Sequence, residues 1–88
     1  MCTYETHTVD VEGSGKSANG WFAATTASVY FDHPVHAQAE HTLNIDLLAP
    51  ALGPSARVAI ELTAESARAL AATITKALDA APADLLAS

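Results

Sequence analysis

The sequence predicts an α+β protein with four antiparallel β-strands followed by one C-terminal helix (ββββα). Three observations support this fold class. Apolar and polar residues alternate with a period of two in the first two-thirds of the chain, and from Thr63 the apolar period becomes 3.6. Segments rich in glycine and proline separate the strand-like stretches. A chain of 88 residues is enough for one domain, so residues 1–88 are assigned to a single domain with its sheet at about 2–62.

The first two strands are predicted over residues 2–11 and 21–32. The segment between them, Gly13–Gly20, has the composition of a loop. Antiparallel pairing across this loop would place Cys2 near Tyr30. Although Gly15-Lys16-Ser17 resembles the end of a phosphate-binding loop, the helix that should follow it is replaced by a strand, which argues against nucleotide binding.

The third and fourth strands are predicted at His41–Leu48 and Arg57–Leu62, between breaks at His33-Pro34 and Pro50–Pro54. In the third strand, alternation puts His41, Leu43, Ile45 and Leu47 on one face and Thr42, Asn44 and Asp46 on the other. In the fourth strand, Val58, Ile60 and Leu62 are predicted to face inward.

The helix is predicted over residues 64–80, with Thr63 as its N-cap, Glu65 in its first turn and Pro82 after its end. Its apolar stripe consists of Ala67, Leu70, Ala71, Ile74, Ala77 and Leu78. Residues 82–88 are predicted to be a frayed tail or part of an interface. One alanine-rich helix covers a four-stranded sheet only partly, so we expect a homodimer in which a second copy completes the core.

Charge and cysteine content exclude several classes of protein. The formal net charge is −6 with only four Lys and Arg residues, so there is no basic surface for nucleic acid or for an anionic membrane. The single cysteine rules out an internal disulfide. No signal-like or membrane-spanning segment is recognisable, and the expected location is the cytoplasm, where a thiol stays reduced.

A histidine cluster is the most informative motif in the sequence. His33 and His36 lie in Asp32-His33-Pro34-Val35-His36, and His41 begins the next strand. If the second and third strands form a hairpin, His33 and His41 meet at one end of the sheet and His36 lies on the loop between them. Three imidazoles at one point suit zinc, iron, copper or nickel about equally well. The alternative is that they are incidental solvated side chains.

Cys2 is the predicted fourth ligand. The assumed pairing of the first two strands brings it to the end of the sheet where the histidines lie, and a thiolate is a ligand for the same metals. The other interpretation is a small structural residue at a strand start. Asp32 and Glu40, each next to a histidine, are candidates to orient an imidazole.

The chain also resembles a family of small actinobacterial proteins of uncharacterised function. The resemblance rests on Cys2-Thr3-Tyr4, Gly13-Ser14-Gly15-Lys16, Gly20-Trp21-Phe22, Asp32-His33-Pro34-Val35-His36 and Glu40-His41-Thr42-Leu43-Asn44-Ile45-Asp46. It covers most of the chain and implies no mechanism, but it implies that the Cys2 and histidine segments belong to one pattern.

Two functions from different classes are therefore expected. The first is a small metal-binding protein, with or without catalytic activity, that uses a divalent transition metal at His33, His36, His41 and Cys2. The second is a non-catalytic dimeric module that binds a partner or a small ligand without a metal. The sequence identifies no substrate and no reaction.

Overall fold

The computed structural model describes residues 5–34 and 40–87, and within them it confirms the ββββα architecture. The strands are β1 (Thr6–Ser17), β2 (Gly20–Asp32), β3 (Thr42–Leu48) and β4 (Arg57–Leu62), followed by the helix α1 (Ala64–Ala80). They form one sheet in the order β1-β2-β3-β4 with antiparallel neighbours. Single turns of 3₁₀ helix lie at Pro50–Leu52 and Ala83–Leu85. No helix in these residues is long and apolar enough to cross a membrane.

The first hairpin differs from the prediction, because β1 continues through the glycine-rich segment to Ser17. Only Ala18 and Asn19 form the turn, and Gly20 follows with a φ of 112°. Ser17 Oγ accepts a hydrogen bond from the Asn19 amide at 3.2 Å. A two-residue turn followed by a glycine at positive φ is a common way to close a hairpin. The predicted Gly13–Gly20 loop is therefore wrong: small residues there lie in a paired strand.

The shorter turn also changes the register of β1 against β2. Tyr30 pairs with Thr6, whereas the longer loop would have placed it beside Cys2. An irregularity between Asp10 and Gly13 gives β1 one more residue than β2 at that point. The proposed pairing of Cys2 with Tyr30 is thus incorrect, and Cys2 itself lies outside the described residues.

The sheet is strongly curled. Strands β1 and β4 are at opposite edges of the sheet order, yet they contact one another. A Cβ added at Gly15 of β1 would lie 3.1 Å from Val58 Cγ2 of β4 and 3.3 Å from Cζ of Phe22. The twist between neighbouring strands accumulates across a sheet, so even a small sheet can curl until its two edge strands approach each other. Gly15 permits the close approach of the two edges.

The polar face of the sheet is more deeply buried than its apolar face. Thr42, Asn44 and Asp46 lie on the face away from the helix and are buried; Thr42 is 0% exposed. The face toward the helix carries Val29, Phe31, Leu43 and Ile45, which are only half-buried. The apolar face of this chain is therefore incompletely covered.

Helix α1 begins and ends as predicted. The Thr63 side chain accepts a hydrogen bond from the Ser66 amide at 3.2 Å, Glu65 lies in the first turn, and Ala81 is the C-cap. The helix contacts the sheet at β3 and β4, and Ala67 is its only residue that is not exposed. The predicted apolar stripe exists, but most of it stays exposed.

An open groove separates the helix from the sheet, with a volume of about 580 Å³. We call it the apolar groove. Its sheet wall is Val29, Phe31, Leu43 and Ile45, and its helix wall is formed by Ala64, Ala67, Arg68, Leu70, Ala71 and Ile74. The apolar surfaces of the helix and of the sheet are therefore held apart, and neither fully covers the other.

The close approach at Gly15 gives the first prediction. Gly15→Val should lower the free energy of unfolding by about 1–3 kcal/mol, because a branched side chain has no room between Phe22 and Val58. Chemical denaturation followed by circular dichroism measures the change.

Gly13→Val is the matched control, since nothing lies within 4 Å of its added Cβ. Replacing a strand glycine there should leave stability unchanged or raise it, because the unfolded chain loses freedom. Equal effects of the two substitutions would show that β1 and β4 do not approach closely at Gly15.

Candidate metal centre

Pairing of β2 with β3 determines where the predicted histidines lie. Asp32 and Thr42 form the last pair of this hairpin, so His33 follows β2 directly and His41 directly precedes β3. The ring centroids of His33 and His41 are 4.4 Å apart, with 31° between the ring planes. The structure thus brings these two imidazoles together at one end of the sheet.

Hydrogen bonding fixes the orientation of the His33 ring. Its Nδ1 lies 2.9 Å from the backbone carbonyl oxygen of Glu40. Because a carbonyl oxygen can only accept, Nδ1 must carry the proton, and Nε2 keeps a lone pair that can bind a cation. A metal-binding histidine is commonly oriented in this way through its other nitrogen.

Both residues predicted to orient an imidazole contact His33. Asp32 Oδ1 accepts a hydrogen bond from the backbone amide of His33 at 2.7 Å. Glu40 holds the His33 ring with its main-chain carbonyl, not with its carboxylate. The main chain supplies this contact because antiparallel pairing brings the segment before β3 alongside the end of β2.

His41 connects the histidine pair to the apolar groove. Its ring stacks on Phe31 with centroids 5.7 Å apart and 12° between the planes, and Phe31 also lines the groove. His41 is half-buried, whereas His33 is exposed. One imidazole is therefore packed against an aromatic side chain and the other is accessible to solvent.

Two of the four predicted ligands, His36 and Cys2, lie outside the described residues. Within residues 5–34 and 40–87, no group of three or more His, Cys, Asp or Glu side chains could hold a metal ion. The fourth histidine, His7, is on β1 with its Nε2 3.1 Å from Glu5 Oε1, and both side chains are exposed. The described part of the candidate centre is thus the His33–His41 pair.

A polar cluster on the other face was not anticipated. Asp46 Oδ1 accepts hydrogen bonds from Arg57 Nε at 3.0 Å and Arg57 Nη2 at 2.8 Å, and Asp46 Oδ2 accepts one from the Tyr30 hydroxyl at 3.2 Å. Beside it, Thr42 Oγ1 donates to Asn44 Oδ1 at 2.7 Å. The sequence signal was the alternation of polar residues in β3, which puts Asp46 diagonal to Arg57 on β4.

Burial raises the pKa of the Tyr30 hydroxyl above its ordinary value of 10.0, and the neighbouring negative charge of Asp46 raises it further. A phenolate at this position would lose its hydrogen bond to Asp46 and would face a like charge. Tyr30 therefore stays neutral in the folded protein and acts as a hydrogen-bond donor.

The fold and the histidine pair define a small α+β protein with a four-stranded antiparallel sheet, a single helix and paired imidazoles at the hairpin end. The chain belongs to a family of unknown function, DUF6295, whose model matches residues 1–87. No curated protein and no solved structure matches the chain at a significant level.

The raised pKa of Tyr30 predicts how stability depends on pH in alkaline solution. The folded state binds this proton more tightly than the unfolded state does. The stability that Tyr30 gains from this difference is complete below pH 10 and is lost as the pH rises through the folded pKa. In Tyr30→Phe this alkaline loss should be absent. Denaturation curves between pH 8 and pH 11 measure it.

Tyr4→Phe removes the other tyrosine of the chain and serves as the control, in which the alkaline loss should persist. At neutral pH Tyr30→Phe should cost about 0.5–1.5 kcal/mol, the usual contribution of one hydrogen bond. The same alkaline profile in both variants would show that Tyr30 has no elevated pKa.

Proposed function

We propose that this protein is a cytoplasmic transition-metal-binding protein whose site lies at the end of the β2–β3 hairpin. The observation that carries the proposal is the 4.4 Å separation between the rings of His33 and His41. A metal binds imidazole nitrogen at ~2.0–2.1 Å, so two imidazoles on one ion have their rings only a few ångströms apart. We assign metal binding to this site and no catalytic reaction.

The orientation of His33 supports the same function. Its Nδ1 proton is engaged by the Glu40 carbonyl, which leaves Nε2 as the nitrogen that would bind the ion. A fixed tautomer is what a metal-binding imidazole requires. The same hydrogen bond also stabilises the end of the hairpin. The net charge of −6 further favours attraction of a cation.

We propose His36 and Cys2 as the remaining ligands. His36 is three residues from His33, in the segment that joins β2 to β3. A set of three imidazoles and one thiolate is compatible with zinc, iron, copper or nickel. A thiolate ligand requires a reduced cysteine, which agrees with a cytoplasmic location.

The second candidate function is a non-catalytic homodimeric module that binds a partner or a small ligand. The apolar groove favours it, because a large apolar surface in a small chain usually marks an interaction site. In that case the histidine pair would only stabilise the end of the hairpin. The groove and the histidine pair are different features, and Phe31 contacts both of them.

Metal analysis of protein purified without a histidine tag or a chelating column tests the proposal. We expect close to one equivalent of a transition metal per chain. His33→Ala and His41→Ala should each lower the occupancy at least tenfold, and His36→Ala should abolish binding while the sheet stays folded. Because protons compete with the metal for imidazole and thiolate, the occupancy should also fall below about pH 6.

His7→Ala is the matched control, because it removes a histidine of β1 that pairs with Glu5 and is not one of the proposed ligands. It should bind metal as the wild type does. Metal-free wild-type protein that does not take up added Zn²⁺, Fe²⁺, Cu²⁺ or Ni²⁺, or a His36→Ala variant with full occupancy, would contradict the metal function and leave the interaction module.

A further inference from the structure

The accessible surface of the chain is far larger than a monomer of its mass requires. A compact monomeric protein of 9.1 kDa has an accessible surface of roughly 4900 Å². This chain has 6604 Å². Its Cα radius of gyration is 14.5 Å, whereas about 12 Å is usual for 88 residues. The fold is therefore extended, with excess surface still to be covered.

Part of the exposed surface is apolar and lies where the helix and the sheet fail to meet. Ile74 and Leu78 are each 54% exposed on the apolar stripe of α1, and Ile60 of β4 is 41% exposed. The excess surface of about 1700 Å² exceeds the ~800 Å² that each partner contributes to a standard protein interface. The exposed surface is therefore more than enough for the interface of a stable dimer.

The size of the side chains along α1 indicates which element fills the groove. Two small residues of the stripe, Ala67 and Ala71, line the apolar groove together with the larger Leu70 and Ile74. The large residues of the C-terminal half are Ile74 and Leu78, with Ala77 between them. In an antiparallel pair of such helices, Ala67 and Ala71 of one copy oppose Leu78 and Ile74 of the other, so that large side chains enter the groove beside small ones.

We propose that α1 of a second copy occupies the apolar groove, antiparallel to the first helix, about a twofold axis between Ala72 and Thr73. Ala67 then lies opposite the partner's Leu78, and Ala71 lies opposite the partner's Ile74. This pairing gives the geometry of the homodimer named under the proposed function. It rests on that dimer and does not depend on a bound metal. An interface of this kind uses the same surface on both copies, as a twofold axis requires.

Electrostatics favour the same arrangement. Antiparallel packing places the positive N-terminus of each helix beside the negative C-terminus of the other. Arg68 and Asp79 lie on the same flank of the stripe, so Arg68 of each copy comes near the partner's Asp79. A parallel arrangement would instead place the two positive N-termini side by side and the two negative C-termini side by side. The net charge of both copies opposes association at long range.

Cysteine cross-linking tests the pairing. In a Cys2→Ser background, Ala67→Cys together with Leu78→Cys should give a covalent dimer under mild oxidation. Residues eleven apart in one helix are about 16 Å apart along its axis, so these cysteines cannot join within one chain. Glu65→Cys together with Lys76→Cys has the same separation on the opposite side of the helix, and it should remain monomeric on a non-reducing gel.

Light scattering of the wild type tests the dimer itself. We expect twice the chain mass at micromolar concentration, loss of the dimer in Ile74→Glu, and retention in Ala69→Glu, which adds the same charge on the opposite side of α1. If Ile74→Glu does not fold, the cross-linking decides the pairing. A dimer that cross-links only through the control pair would overturn the pairing and leave the homodimer. A wild-type monomer that binds an apolar dye would overturn both and assign the groove to a small ligand.

Discussion

The antiparallel pairing of β2 with β3 is the constraint on which the rest of the structure depends. It extends from Thr26 opposite Leu48 to Asp32 opposite Thr42. Its last pair brings the residues after β2 and before β3 together, which places His33 beside His41. Its alternation sends the apolar residues of both strands to the helix side. The same register aligns Tyr30 with Asn44, next to Asp46, which allows the polar cluster to form.

The distribution of burial leaves the apolar face of the sheet incompletely covered within one chain. The polar face of β3 is buried and its side chains satisfy one another, as in Thr42 with Asn44. The apolar face is left beside an open groove because α1 meets the sheet mainly at β3 and β4. Since burial of apolar surface is the main favourable contribution to folding, a small chain arranged in this way has a thin margin of stability. The second copy that we propose would supply apolar cover without a larger chain.

Phe31 links the two features to which we assign a function. Its ring stacks on His41 and also forms part of the sheet wall of the apolar groove. Packing in the groove therefore bears on the position of one imidazole, whereas the His33 ring is held by one hydrogen bond to the main-chain carbonyl of Glu40. The histidine pair thus combines one ring positioned by packing with one positioned by the hairpin backbone.

The sequence alone determined those parts of the structure that depend on local interactions. The change of period at Thr63, the N-cap and Pro82 predicted the helix at residues 64–80, and alternation predicted β2, β3 and β4 closely. The hairpin argument also predicted that His33 and His41 are neighbours. Only the tertiary structure decided the length and register of β1, the curl that brings Gly15 to Val58, the Tyr30–Asp46–Arg57 cluster and the apolar groove. These depend on contacts between residues distant in sequence, where composition is a poor guide: glycine and serine indicate a loop when read alone, yet they form a paired strand where a neighbouring edge needs close approach.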